Sequence, residues 1–296
     1  MRKAWFQMHL AIFLWGFTGI LGKAIDMSEG MIVWYRMIIS AAGLLPLIIN
    51  RKLDIPSRPE IMKITWVGML VALHWILFYG AIKASNVSIA LSCFSSISLF
   101  TALLEPLSHR KKPKTAEVLL GLSVIVGLYV IFSVQHIYLT GILLAVGSAF
   151  LGAMFTVSNK KLTAKHPPEI ITFYELTSGF IVLTVLLPLY FMTTGTGFQI
   201  PGTMDLIYLL ILGWVCTSFA FTISLKALKK LDAFTLNLSV NLEPLYSIIL
   251  AVILFKEYDA LNGGFIAGTL IIISSVMIHS WFKWSSRKPD RGNLSS

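Results

Sequence analysis

Apolar runs of about twenty residues alternate with short polar interruptions along almost the whole chain, the length a helix needs to cross a hydrocarbon core. The pattern predicts ten helices, over residues 4–24, 31–50, 62–82, 87–108, 116–134, 140–160, 169–191, 204–226, 233–255 and 261–282. Turn-forming stretches separate them: Asp26-Met27-Ser28-Glu29-Gly30, Pro56-Ser57-Arg58-Pro59, Pro113, Pro167-Pro168, and 195–202. The first run follows Arg2-Lys3, as a signal peptide would, but no small-residue cleavage site precedes Lys23 and nine more runs follow. It reads as a retained helix. The expected fold is therefore all-α and integral to a membrane, with ten transmembrane helices.

Composition removes the soluble alternatives. Of 296 residues, 56% are hydrophobic and 13% charged, against roughly 25% charged in soluble domains. Too little charge remains to cover a water-facing surface. Cys93 and Cys216 both lie inside apolar runs, so neither a disulfide framework nor a zinc spacing is present, and no cofactor or metal is expected.

A net charge of +10 raises the question of nucleic acid, and its distribution answers it. With the amino terminus inside, the cytoplasmic segments hold 20 of the 24 Lys and Arg residues. Outer segments hold Lys23, Lys83 and Lys256, and Arg36 lies within the second run. Such an imbalance is a topology signal. Both termini are expected in the cytoplasm, in a multi-pass protein of the plasma membrane (a bacterial inner membrane). The expected partners are the lipid bilayer and a small-molecule substrate, with no nucleic acid, and the protein is a monomer or homodimer. Residues 285–296 read as a disordered cytoplasmic tail.

Short words recur between the two halves. Leu14-Trp15-Gly16 faces Leu151-Gly152, offset by 136 at the glycine, and Trp34-Tyr35-Arg36 faces Phe173-Tyr174-Glu175, offset by 139. Leu44-Leu45-Pro46 faces Leu186-Leu187-Pro188 at 142, and Ala81-Ile82-Lys83 faces Ala227-Leu228-Lys229 at 146. The offsets grow steadily in chain order. Two five-helix repeats follow, over 1–135 and 136–284, and five being odd, the second enters the membrane from the opposite side. Inverted repeats of this kind build secondary transporters, with substrate held near mid-membrane between the halves. The words Leu104-Glu105-Pro106-Leu107 and Leu242-Glu243-Pro244-Leu245 look like a further match, but their offset of 138 disagrees with the local 146. They are not equivalent: Glu105 falls near the cytoplasmic end of its helix and Glu243 at the centre of its own.

Leu14-Trp15-Gly16 with Lys23, Arg36 in the second run, and Leu254-Phe255-Lys256-Glu257 closing the ninth together resemble the drug/metabolite transporter superfamily, in its ten-helix EamA-type branch. The corresponding end of the fourth run, Ser108-His109-Arg110-Lys111-Lys112, lacks the acid. The resemblance implies an exporter of amino acids or related small metabolites, driven by a proton or substrate gradient, with a central cavity between helices 1, 3, 4, 6, 8 and 9.

Ionisable groups inside the apolar runs are the candidates for transport chemistry, since each is costly there. Glu243 leads, on one face with Ser239 and Ser247, and Asn237 and Asn241 form a neighbouring stripe. Pro244 frees the carbonyl of Val240, so a carboxylate stands beside an open acceptor, which suits an ammonium group, a cation or a proton. The structural alternative is a buried carboxyl that only joins helices. Arg36 and Glu175 sit at different depths and are not expected to pair directly. Arg36 either grips a substrate carboxylate or, slightly favoured, snorkels to the outer headgroups or serves structure. For Glu175 and Glu105, a salt bridge with nearby lysines weighs equally with substrate contact. His74, Trp75 and Tyr79 of the third run share mid-membrane depth with Trp15 and would wall a pocket for a largely apolar or aromatic solute, against ordinary packing. The serines 88, 92, 95, 96 and 98 and the glycines 16, 19 and 22 read as helix-packing stripes.

The competing readings are an intramembrane enzyme and a receptor or scaffold. The chain contains no P-loop, no HExxH and no GxSxG. His74 with Glu243 is the one catalytic pair that can be assembled, and no spacing fixes their distance.

Overall fold

The computed structural model describes residues 1–51, 53–132, 138–255 and 263–285. Helices α1 (Arg2–Ala24), α2 (Glu29–Arg51) and α3 (Arg58–Ala84) occupy the first three predicted runs. The fourth run is two helices, α4 (Val87–Phe94) and α5 (Ile97–Ser108), and the fifth is α6 (Thr115–Phe132). Helices α7 (Leu139–Leu162) and α8 (Pro168–Thr194) follow. The eighth run passes without interruption through α9 (Thr203–Leu210), a π-helical stretch (Ile211–Phe219) and α10 (Ala220–Leu228). The ninth is again two helices, α11 (Ala233–Val240) and α12 (Glu243–Phe255), and α13 (Gly263–Ser285) is the tenth. Among the described residues, seven helical stretches are long and apolar enough to cross a membrane, and two shorter apolar helices lie at 115–127 and 263–279. The repeat boundary at 135–136, Lys256 and Glu257, and the tail from 286 lie outside the described residues.

Two expectations are corrected here. The fourth and ninth runs are not continuous helices but break near their middles, where i→i−3 hydrogen bonds replace the α-helical ladder. The amide of Ser96 reaches the Cys93 carbonyl at 3.1 Å, and that of Leu242 reaches Ser239 at 3.0 Å. In the fourth run the hydroxyls of Ser95 and Ser96 bond back to Leu91 and Cys93 and compete for ladder carbonyls. In the ninth, Pro244 has no N–H with which to continue the helix. Glu243 therefore opens α12 rather than sitting in mid-helix.

Polarity is arranged as a bilayer requires. Trp66, Val126, Leu143, Val185 and Met277 are exposed, whereas Arg36, His74, Asn159, Glu175, Asn237 and Glu243 are buried. Helix α3 packs on α7 and α8, α1 on α10 and α12, and α2 on α8 and the π-helical stretch. Helices α4 and α5 contact α7, α12 and α11, and α6 pairs with α13. At one end Gln199 stitches the 25–28 and 195–202 connections, accepting from the Ser28 amide at 2.7 Å and from the Tyr35 hydroxyl at 3.2 Å.

The α3–α8 contact depends on one missing side chain. A Cβ on Gly68 would lie 2.4 Å from both the Glu175 carbonyl oxygen and the Ser178 Oγ, so backbone would have to move. Gly68→Ala is expected to cost about 1–3 kcal/mol and to lower the melting temperature in detergent. Gly197→Ala, where nothing lies within 4 Å, serves as the control that should leave it unchanged.

Candidate functional site

A narrow internal cavity runs through the centre of the bundle. Its walls come from α1, α2, α3, α4, α5, α7, the π-helical stretch, α10, α11 and α12. These are the runs expected from the resemblance, with the second added through Arg36. The lining along the π-helical stretch and α10 extends from Cys216 to Leu228, about 18 Å at helical rise. The cavity volume is about 60 Å³, room for about four water molecules in this conformation.

Arg36 is held in that cavity by three contacts. Its Nε donates to Thr217 Oγ1 at 2.7 Å and one terminal nitrogen donates to the Tyr79 hydroxyl at 2.7 Å. The guanidinium carbon stands 3.8 Å over the Trp75 ring, a desolvated cation–π geometry of about 2 kcal/mol. The side chain is thus buried among partners, and the snorkelling alternative is overturned: a Thr, a Tyr and a Trp inside the bundle satisfy the cation that headgroups would otherwise serve. The π-helical stretch contributes by its wider turn. Thr217 Oγ1 donates to the Leu212 carbonyl, five residues back, at 2.7 Å, which leaves its lone pair for Arg36. Ser40 of α2 also reaches the Gly213 carbonyl, tying α2 to the same stretch.

Glu243 faces the same cavity from the first turn of α12. Thr18 of α1 donates to its Oε1 at 3.5 Å, and next to it Ser247 Oγ donates to the Gly16 carbonyl at 2.6 Å. Among the described residues no direct ion pair joins Arg36 to Glu243, so a cation and a carboxyl share one cavity without neutralising each other by contact. An aromatic box surrounds them, with Trp15, Trp75, Phe78, Phe94, Phe155 and Phe221 in the lining.

Six of the sequence candidates line this cavity: Trp15, Arg36, His74, Trp75, Asn237 and Glu243. His74 has its Nδ1 committed to Ser148, 2.8 Å from the carbonyl and 2.9 Å from Oγ, and Ser148 returns a bond to the His74 carbonyl. That reciprocal clip joins α3 to α7, and no hydrogen bond links His74 to Glu243. Asn237 donates to Thr101 at 2.8 Å.

Three candidates lie elsewhere. Tyr79 stands behind Arg36 and is fully buried. Asn241 donates to Ser98 at 3.1 Å and lines a separate small void beside α13. Glu175 accepts from Asn159 at 3.4 Å, with its other oxygen unpartnered. Among the described residues, neither Glu175 nor Glu105 bridges a lysine. The residues that sequence reasoning missed are Thr18, Thr156, Asn159, Thr217 and Ser224, small polar groups that look like packing stripes in a single apolar run.

One end of the cavity is floored by the connection between α10 and α11. Lys160 Nζ donates to the carbonyls of Leu228 at 2.8 Å and Leu231 at 2.6 Å. The Glu105 carboxylate accepts from the amides of Ala233 at 3.0 Å and Phe234 at 2.8 Å. A cation thus caps the end of α10 and an anion the start of α11, each placed to favour the helix dipole. Asp232 completes the α11 cap through the Thr235 amide.

The fold and this interior define a multi-pass helical membrane protein whose polar site is built inside the bundle. The chain belongs to the EamA-like transporter family, which matches residues 2–133 and 139–281. It is 27% identical over 268 residues to an uncharacterized transporter of Archaeoglobus fulgidus, covering 86% of this chain and 90% of that one. It is 24% identical over 258 residues to the uncharacterized transporter YwfM of Bacillus subtilis, covering 84% of each. A solved crystal structure 16% identical in sequence shares the fold, with a TM-score of 0.74 over 95% of this chain and 98% of the other. The protein is a membrane transporter of this family.

Proposed function

We propose that the protein is a secondary carrier that exports amino acids or closely related small metabolites across the plasma membrane by alternating access. The observation that carries this reading is the shared aromatic cavity in which Arg36 and Glu243 stand without a direct bond. An α-amino acid offers the complementary pair: its carboxylate to the guanidinium fork and its ammonium to the carboxylate. Its side chain would rest on the aromatic walls. A proton and an ammonium compete for the one carboxylate, so Glu243 couples solute efflux to proton entry.

Ten spans in two inverted repeats, with both termini cytoplasmic, are part of the proposal. The breaks at Ser95-Ser96 and Asn241-Leu242 are 146 residues apart, the offset read for the neighbouring helices. Paired broken helices at corresponding places mark substrate sites in inverted-repeat carriers. Contacts also map onto themselves when each run is advanced by five: α3 on α7 becomes α10 on α1, and α3 on α8 becomes the π-helical stretch on α2. The positive-inside bias places Arg51, Lys160 and Lys226 on the cytoplasmic side, so the floor made by Lys160 and Glu105 is the inner closure.

Comparing metabolites in medium and cytosol between cells with and without the protein tests the function. At least one amino-acid-like solute should accumulate outside, and identical profiles with no flux in proteoliposomes would overturn export. Opening the floor is a separate expectation. Lys160→Met should raise the rate at which a cysteine at Leu228→Cys reacts with a water-soluble maleimide applied from the cytoplasmic side.

A further inference from the structure

Outside the transport cavity, a second concavity opens laterally toward the bilayer between α2, the start of α8, the π-helical stretch and α10. Its volume is about 650 Å³. Most of its wall is apolar, with Leu44, Leu47, Phe219 and Ile223 among the residues that face it. Three charged side chains close one end. Glu169 Oε1 is 2.7 Å from Lys226 Nζ and 3.4 Å from an Arg51 nitrogen. Two cations meet one carboxylate, so this end carries a surplus positive charge. The cations are also the exposed members of the cluster, at 58% for Arg51 and 36% for Lys226 against 7% for Glu169. Their outward faces are available to an anion while the carboxylate holds them from behind.

A second observation lies deeper in the same wall. Thr222 lines the groove, is 6% exposed, and its Oγ1 has no hydrogen-bond partner. A buried hydroxyl without a partner carries a desolvation penalty that an incoming acceptor would remove. Thr222 precedes Lys226 by four residues on one helix face, about 6 Å along the axis. That separation and order suit one class of molecule: a glycerophospholipid places its phosphate at the headgroup level and its ester carbonyls a few ångströms deeper, above two long apolar chains.

We infer that this lateral groove is a binding site for an anionic glycerophospholipid of the cytoplasmic leaflet. Lys226 and Arg51 take the phosphate, the Thr222 hydroxyl donates to an ester carbonyl, and an acyl chain lies along Leu44, Leu47, Phe219 and Ile223. Glu169 orients the two cations and keeps the end from binding anions more tightly. The inference rests on the proposed orientation, which puts Arg51 and Lys226 at the cytoplasmic face, and it stands or falls independently of what the central cavity carries.

Native mass spectrometry of the detergent-purified full chain, titrated with phosphatidylglycerol or phosphatidylcholine of matched acyl chains, tests it. One phosphatidylglycerol should be retained in preference to phosphatidylcholine. Arg51→Gln and Lys226→Gln should each weaken that retention by about five-fold, the factor for one basic residue at a lipid surface. Glu169→Gln should strengthen it, an increase that a merely structural role for Glu169 would not give. Thr222→Val preserves shape and all three charges, and should weaken both lipids together. Glu243→Gln should leave lipid retention unchanged. Equal retention of the two lipids, or indifference to the Arg51 and Lys226 substitutions, would overturn the inference. So would displacement of the lipid by millimolar inorganic phosphate, which would make the site a free-anion site, or a protein dimer that occupies the groove and excludes lipid.

Discussion

Replacing Glu243 by Gln is expected to reduce gradient-driven flux in proteoliposomes by about 30-fold or more, the factor for removing one partner of a buried charged contact. The substitution keeps the shape of the side chain and the Thr18 contact, so folded yield and melting temperature should stay near those of the unaltered protein. Glu243→Asp should recover part of the flux, because the charge and the exchangeable proton are retained. Coupling is the sharper readout. The unaltered carrier should move protons inward as solute leaves, and the Gln variant should show neither an imposed-gradient response nor solute-dependent proton movement. Undiminished flux in the Gln variant would remove Glu243 from the transport step and leave it as a helix-joining carboxyl.

The second large effect is expected at Arg36. Its two bonded nitrogens go to Thr217 and Tyr79, and its plane lies on Trp75. Lysine keeps the charge but loses both the fork and the stacking surface. Arg36→Lys should therefore weaken binding of a carboxylate-bearing solute by about 10- to 100-fold, the value of one or two charge-assisted hydrogen bonds. An analogue in which the carboxylate is replaced by a neutral amide should lose little further affinity in that variant. Equal losses for acid and amide would mean that Arg36 supports the cavity without touching solute.

Much of the helical architecture is legible in the chain because apolar run length is a direct consequence of bilayer thickness. The observed helices overlap the ten predicted runs, although Arg58-Pro59 and Pro168, read as connections, fall in the first turns of α3 and α8, where a proline is tolerated. The interior of a run is harder. Pro244 was visible as a freed carbonyl at Val240, yet whether a helix bends or breaks at such a point depends on neighbours that pack around the gap. Serines 95 and 96 carry even less signal, since the same residues serve close packing in continuous helices.

The site shows the same division. Burying Arg36 needs Thr217, which is 181 residues away, and no local pattern connects them. Without that knowledge the outer headgroups were its natural destination. Glu105 misled for a related reason: lysines surround it in sequence, whereas the groups that meet it in space are the free amides at the start of α11. Depth arithmetic did carry information where it compared like with like, and Arg36 and Glu175 are indeed not bonded to each other.

Lys160 and Glu105 grip carbonyls and amides, never the side chains of residues 228–234. The clasp is consequently blind to what that turn is made of, and most replacements of Lys229, Lys230 or Leu231 leave its four hydrogen bonds available. Proline at 233 or 234 is the exception. It is welcome at the opening of most helices, but here it would delete an amide that Glu105 holds, and the connection would loosen with both gripping side chains unchanged.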